Sequence, residues 1–505
     1  MQDRPNVILM FADDLGIGDL SCFNPDSKIH TANLDRMAAE GMRGTDVHAT
    51  SALCTPSRYG LLTGRYNWRS VLKAMVVGGY SRHIIEEGRE TLGTLFKRAG
   101  YQTACVGKWH LGLDWSVRGD DSILTPGRPL KGQIPDVDYS VPVRNGPNDC
   151  GFDYSYVTPG SLDIPPYVFL ENGSVCAPPS AMSGVSRDAM AQRGVITDPN
   201  DARIYHWPEG ECAAEYVHRE VVPDSARRVL NLIDSYAETK QPFFIYYPIH
   251  APHIPCLPTP EFEGRSGIGP YGDMVLMIDS IVGQIMDKLK EKGIDNDTLF
   301  LFTSDNGSEN SYPELGHEPS YIYRGHKSDI WDGGHRIPFL VRWPSHIPAG
   351  HSTDQLCCLS DIYASFAEML QIPLVPEEAE DSVSNLPLWL GGDVPVRDYI
   401  VHSSGGGCFS IREGRWKLEL CPGSGGFGMR AENVDGLLPI QLYDMVEDVR
   451  EQHNAAQEHP EIVNRLRDQL TAYILAGRST PGAAQKNTGP QWWPQLTWID
   501  PPAEN

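Results

Sequence analysis

At 505 residues, with 40% hydrophobic and 9% aromatic side chains, the chain is too long for one small core and fits a large domain joined to a smaller one. Its net charge of −24 repels nucleic acid and anionic lipid, so any bound anion needs a local cationic pocket. Eleven cysteines without a C-x-x-C pair exclude a zinc framework, and no run of about 18 apolar residues offers a membrane span.

The chain opens MQDR directly before an apolar run. This reads as a mature start with an added methionine, its export signal removed. Residues 6–12, NVILMFA, are apolar throughout and end at Asp13-Asp14, the pattern of a strand buried on both faces of a parallel sheet. Helical patterns follow at 31–41, 56–64 and 91–100, then a strand in YQTACVGKWH that reaches Lys108 and His110. Residues 114–240 are irregular and rich in Pro, Gly and aromatics, and are expected to be insertions lining a substrate cleft. PFFIYYPIH (242–250), a helix over 272–293, TLFLFTSDNG (298–307) and IPFLVRWP (337–344) restore the strand and helix alternation. The acidic stretch near 375–395 reads as a linker. A hairpin turning at Glu413-Gly414, an amphipathic helix over 461–477 and an aromatic tail complete the chain. The expected fold is α/β: a large, mainly parallel sheet flanked by helices over residues 1–380, with a smaller α+β domain over 381–505.

Ligands of such sheets collect beyond the carboxyl ends of the strands. Four strands deliver polar residues there: Asp13-Asp14, Lys108 with His110, His250, and Asp305-Asn306. Helix caps and loop polarity explain any one of these, and explain four together poorly. Asp13, Asp14, Asp305 and Asn306 are hard oxygen donors, suited to Ca²⁺ or Mg²⁺ rather than zinc. Arg58, Lys108 and Lys327 with His110, His250 and His253 complete a pocket for a tetrahedral oxyanion, sulfate or phosphate. Cys54, in SALCTPSRYGLLTGR, reads as a buried structural thiol, the usual state of a bare cysteine, as a half-cystine or as a reactive centre.

The stretch C-T-P-S-R at 54–58 matches the C-x-P-x-R signature of the formylglycine-dependent sulfatases. PNVILMFADDLGIGDL, GKWHLG, FFIYYPIHAPH, TSDNG and GHKSDIWDGGHRIPFLVRWP resemble the same family in the same order. The resemblance spans roughly residues 5–475 and is nearest to the arylsulfatase A-like and N-acetylgalactosamine-sulfatase-like branch of the alkaline phosphatase superfamily. It implies an alkaline phosphatase-like fold and oxidation of Cys54 to formylglycine (3-oxoalanine) by a formylglycine-generating or anaerobic sulfatase-maturating enzyme. It further implies one Ca²⁺, in preference to Mg²⁺, held by Asp13, Asp14, Asp305, Asn306 and residue 54. In that mechanism the hydrated aldehyde attacks sulfur and forms a covalent sulfate ester. Arg58, Lys108 and Lys327 stabilise charge, His250 protonates the leaving oxygen, and His110 takes the proton from the second hydroxyl.

The expected substrate is a sulfated carbohydrate, of algal galactan or glycosaminoglycan type. His253, Trp207, Tyr167 and Arg336 are the candidate substrate contacts, Trp207 and Tyr167 as stacking rings. A simple aryl sulfatase and a phosphodiester or phosphonate monoester hydrolase of the same superfamily are the alternatives. The expected location is periplasmic or secreted. Sequons at Asn172 and Asn296 keep a lysosomal location open.

Overall fold

The computed structural model describes residues 4–119, 121, 124, 134–185, 206–309, 315–429 and 433–500. The expected added Met1 and the stretch 186–205 of the expected insertions lie outside them. Among the described residues the main sheet has ten strands. Its centre is the Asn6–Asp13 strand, with Phe243–Pro252 on one side and Thr298–Ser304 on the other, both parallel to it. Gln102–Lys108 and then Tyr154–Thr158 extend the parallel block beyond Phe243–Pro252. The Asn6–Asp13 strand is buried on both faces, with Val7 to Ala12 inaccessible to solvent, which is why its sequence lacks the two-residue alternation of a half-exposed strand. Phe339–Arg342 pairs antiparallel with Thr298–Ser304, so the sheet is mixed on that side. The fold class is the expected one.

Helices Ala32–Glu40, Leu92–Arg98, Val221–Thr239 and Pro270–Glu291 pack on the sheet, and Cys54–Thr63 packs on Leu92–Arg98. Val221–Thr239 corrects the reading of 114–240 as irregular throughout. Val222, Ala226, Val229 and Ile233 recur at helical spacing and are buried, and this face packs on the Phe243–Pro252 strand. The surrounding charged residues mask that stripe in the sequence.

The smaller unit is an antiparallel sheet in the order Tyr399–Ser403, Phe409–Glu413, Trp416–Glu419, Gln441–Asp444, with helix Pro460–Ala476 against it. The expected hairpin forms, with Glu413 paired to Trp416, so that its turn is Gly414-Arg415, one residue later than the expected Glu413-Gly414. Tyr66 and Trp68 reach from the main unit into its core, and Trp493 of the tail packs there too. The expected linker is instead pinned into the body. Glu378, Glu380 and Asp381 are each at most 3% exposed and pair with Arg98, Arg65 with Arg89, and Arg69. An acidic run reads as solvated until its arginines, some 300 residues away in sequence, are brought to it.

Candidate active site

The carboxyl edge of the parallel block carries the site. Asp13 ends its strand, Asp305-Asn306 follow Ser304, and Lys108 ends Gln102–Lys108. His250 lies where the pairing of Phe243–Pro252 with Asn6–Asp13 slips, between the pairs Phe11 with Pro248 and Asp13 with Pro252. Such bulges re-aim a side chain near functional sites. Asp14 and His110 hold left-handed backbone, with φ of 65° and 54°, a conformation that costs non-glycine residues and clusters at active sites. Gly307 is required by close approach: a Cβ there would lie 1.9 Å from the carbonyl oxygen of Gly333.

Cys54 opens the ten-residue helix Cys54–Thr63. Arg58 follows one turn later on the same face, which is the physical reason for the spacing of the C-x-P-x-R motif. Pro56 fits the first turn, where its missing N–H has no intrahelical partner to lose. Gly64 ends the helix at φ 64°.

Three carboxylates and three cations meet here, all buried. Arg58 donates to Asp305 Oδ2 at 2.7 Å and lies 3.4 Å from Asp13 Oδ1. Lys108 Nζ is 2.6 Å from Asp13 Oδ2, and Lys327 Nζ is 2.6 Å from Asp14 Oδ2. Asn306 donates from Nδ2 to Asp14 Oδ1 at 2.7 Å. One ligand atom from each of Asp13, Cys54 and Asp305 lies within 4.8 Å of the other two. Burial pushes the Cys54 thiol up to about 11, against the pull of Lys108 and Lys327. Burial and the neighbouring Asp13 raise Asp305 to about 7 despite Arg58. At Asp13 burial acts upward too, but Lys108, His253, Arg58 and Lys327 together hold it well below the usual carboxylate range.

This donor set fits a hard divalent cation. Asp13 Oδ1 and Asn306 Oδ1 are buried and accept no hydrogen bond. Such acceptor oxygens are costly to bury without a positive partner. Apart from Cys54 and His253 the converging donors are oxygens, as Ca²⁺ prefers.

The histidines are set by their outer nitrogens. His110 Nε2 lies 2.8 Å from the Val77 carbonyl oxygen, which can only accept, so Nε2 carries the proton and Nδ1 is a free lone pair. Thr158 Oγ1 donates to the Gly160 carbonyl and lies 2.7 Å from His250 Nε2. The Thr158 proton is thereby engaged, so His250 donates to it and leaves Nδ1 open. Neither Nδ1 has a partner. Burial lowers His250 to about 3 and His110 well below its ordinary value, which favours the neutral ring in both.

The family model described as Sulfatase matches residues 5–372. The chain belongs to the sulfatase family. It is accordingly a sulfuric ester hydrolase. This sulfatase is 34% identical to an N-acetylgalactosamine-6-O-sulfatase of Bacteroides thetaiotaomicron over 92% of each chain. It is 30% identical to human arylsulfatase A over 96% of this chain and 91% of that one. Among solved structures it resembles a protein from work on glycosaminoglycan metabolism by B. thetaiotaomicron, with a TM-score of 0.80 and 32% identity over 93% of this chain and 99% of that one.

In this sulfatase Asp13, Asp14, Cys54, Arg58, Lys108, His110, His250, Asp305, Asn306 and Lys327 come together at one edge. His253 joins them, with Nε2 3.6 Å from Asp14 Oδ2. Two candidate substrate contacts are corrected. Tyr167 is fully buried and its hydroxyl donates to the Pro208 carbonyl, so it presents no face to a sugar. Arg336 pairs with Asp46 and Asp332 and donates to the Thr45 carbonyl, which makes it part of an internal charge network. Trp207 is partly exposed, but its ring stacks on His218 and its N–H donates to Ser183. Thr158, which orients His250, and Glu309, 3.8 Å from Lys327, were not anticipated. Thr158 ends a strand as Lys108 does, and that position was the available signal.

Proposed function

We propose that this sulfatase removes sulfate from a saccharide of glycosaminoglycan type, using formylglycine at position 54 and one Ca²⁺. The observation that carries the reading is the convergence of Cys54 and Arg58 with three carboxylates, Asn306 and two lysines on one buried edge. The saccharide rests on the names of the relatives, an N-acetylgalactosamine-6-O-sulfatase and a structure from glycosaminoglycan metabolism. The converging donors form one oxygen-rich set around Asp13, with Lys108 and Lys327 where a second metal's ligands would stand, and we read it as a site for one ion. That favours sulfate over a two-metal phosphoester hydrolase. A maturating enzyme converts Cys54, and the protein works outside the cytoplasm; no described helix is long and apolar enough to cross a membrane.

Asp13, Asp14, Asp305 and Asn306 would hold the ion, which would stabilise negative charge on the attacking oxygen of residue 54. Lys108 and Lys327, whose charges both act on Cys54, hold the oxygens of the sulfate group. Arg58 holds Asp13 and Asp305 in place and adds positive charge behind residue 54. His110 Nδ1, a free lone pair, accepts a proton from residue 54. His250 Nδ1 is also open; a bound sulfate ester favours its protonated form, which then delivers the proton to the leaving sugar oxygen.

His250→Ala is expected to lower kcat on a sulfated sugar by about 10²–10⁴-fold. On nitrophenyl sulfate, whose leaving group needs no proton, the loss is expected to stay under about tenfold. Equal losses on both substrates would remove His250 from the acid role. Chelation is expected to abolish turnover and lower the melting temperature, with Ca²⁺ restoring both; an unshifted melting temperature would argue against an ion at these oxygens. The decisive experiment pairs peptide mapping of residue 54 with sulfate release from a panel of sulfated saccharides. A peptide lighter by the change from thiol to aldehyde, with sulfate released from an N-acetylgalactosamine sulfate, is expected. Phosphate release without sulfate release would overturn the reading.

A further inference from the structure

Cys408 and Cys421 lie opposite each other at the open end of the Phe409–Glu413 and Trp416–Glu419 hairpin. The register pairs Ser410 with Glu419, and the Leu420 amide donates to the Phe409 carbonyl at 2.9 Å. One step further out, Cys408 faces Cys421. The Cys408 amide is engaged elsewhere, donating to Ser404 Oγ at 3.1 Å, so the two cysteines form a pair without mutual backbone hydrogen bonds. In antiparallel strands such pairs have the closest α-carbons, about 4.5 Å apart, within the span that a disulfide bridges.

We propose that Cys408 and Cys421 are a modification site, oxidised to an intramolecular disulfide by thiol–disulfide exchange with a small-molecule disulfide. Cys408, the more accessible of the two, attacks first as thiolate. It forms a mixed disulfide and releases one thiol. Cys421 then loses its proton, and its sulfur attacks the Cys408 sulfur and releases the second thiol. Two protein thiols are oxidised and one disulfide is reduced to two thiols. The two neighbouring thiols shift each other, Cys408 downward and Cys421 upward, which matches this order of attack.

The bond would lock loops that grip the segment after Lys327. The Gly405 amide donates to the Ser328 carbonyl and the Ile330 amide to the Ser424 carbonyl, each at 2.7 Å. The Gly428 amide donates to Asp329 Oδ1 at 2.8 Å. Ser404 Oγ donates to the Gly425 carbonyl at 2.7 Å, joining the two loops. Cys408 begins at one loop and Cys421 at the other, so the cross-link closes the frame behind a lysine of the active site. The chemistry is independent of the substrate and of the state of residue 54.

The test is equilibration of the whole protein in a buffer of oxidised and reduced glutathione, then alkylation under denaturing conditions and peptide mapping without reductant. The expected result is a peptide linking Cys408 to Cys421, lost on reduction, with a melting temperature several degrees above the reduced form. Cys408→Ser is expected to leave Cys421 fully alkylated and the melting temperature insensitive to glutathione. Full alkylation of both cysteines in the wild type would overturn the proposal, as would Cys408 held only as a glutathione adduct or linked to another cysteine. Should Cys408→Ser fail to fold, Cys421→Ser serves the same purpose, with no linked peptide expected.

Discussion

Cys54→Ala is expected to reduce kcat/KM for sulfate-ester hydrolysis by about 10⁴-fold or more. It is also expected to leave the melting temperature within about 2 °C of the parent. The Cys54 side chain is 3% exposed and sits at the first turn of its helix, beside Asp13 and Asp305. Alanine keeps the Cβ and favours the helix, and the cap residue Leu53 makes no side-chain capping bond that could be lost. What disappears is the thiol, without which the Cβ cannot be oxidised to an aldehyde. The test compares purified parent and variant by released sulfate and by thermal melting. Activity within tenfold of the parent would sink the formylglycine reading of position 54 and leave the family assignment standing.

The largest expected loss of stability follows from Arg69→Ala. Arg69 forms a two-pronged pair with Asp381, Nε to Oδ2 at 2.7 Å and NH2 to Oδ1 at 2.8 Å, and both side chains are inaccessible to solvent. The same guanidinium donates to the Tyr473 carbonyl and to Asn487 Oδ1 and lies 4.1 Å over the Trp68 ring. It therefore ties the main unit to the acidic stretch, the C-terminal helix and the tail. Removing one partner of a buried pair strands the other charge, at a cost of about 3–5 kcal/mol. The expected readout is a large fall in the urea midpoint. Arg118→Ala, whose pair with Asp136 is exposed, is expected to leave the midpoint unchanged. At Asp381 burial acts to raise the pKa, but Arg69 outweighs it and the carboxyl is lowered. Its contribution is therefore complete above the unfolded carboxylate value of about 3.9 and is lost as the pH falls through the folded value. An unfolding free energy for Arg69→Ala within about 1 kcal/mol of the parent would show that water reaches Asp381 in the variant.

Much of the site was legible without coordinates. Apolar runs ending in Asp13-Asp14, Lys108 and Asp305-Asn306 mark strands whose carboxyl ends meet, because parallel strands in one sheet must end at the same edge. Cys54 and Arg58 needed only helical spacing to share a face. The residues misjudged were those whose role depends on partners distant in sequence. Tyr167 looked like a stacking ring until the Pro208 carbonyl claimed its hydroxyl, and Arg336 like a substrate contact until Asp46 and Asp332 enclosed it. The acidic stretch around Asp381 looked like a solvated linker until Arg69 arrived from 312 residues away. Local sequence determined the strands, the helix that opens at Cys54 and the donor types at the sheet edge, since these follow from hydrophobic period and residue chemistry. Only the tertiary structure decided which charges are buried together, because burial converts a weak surface attraction into a contact that must be matched. For the same reason it alone shows that Thr158 orients His250 and that Cys408 faces Cys421.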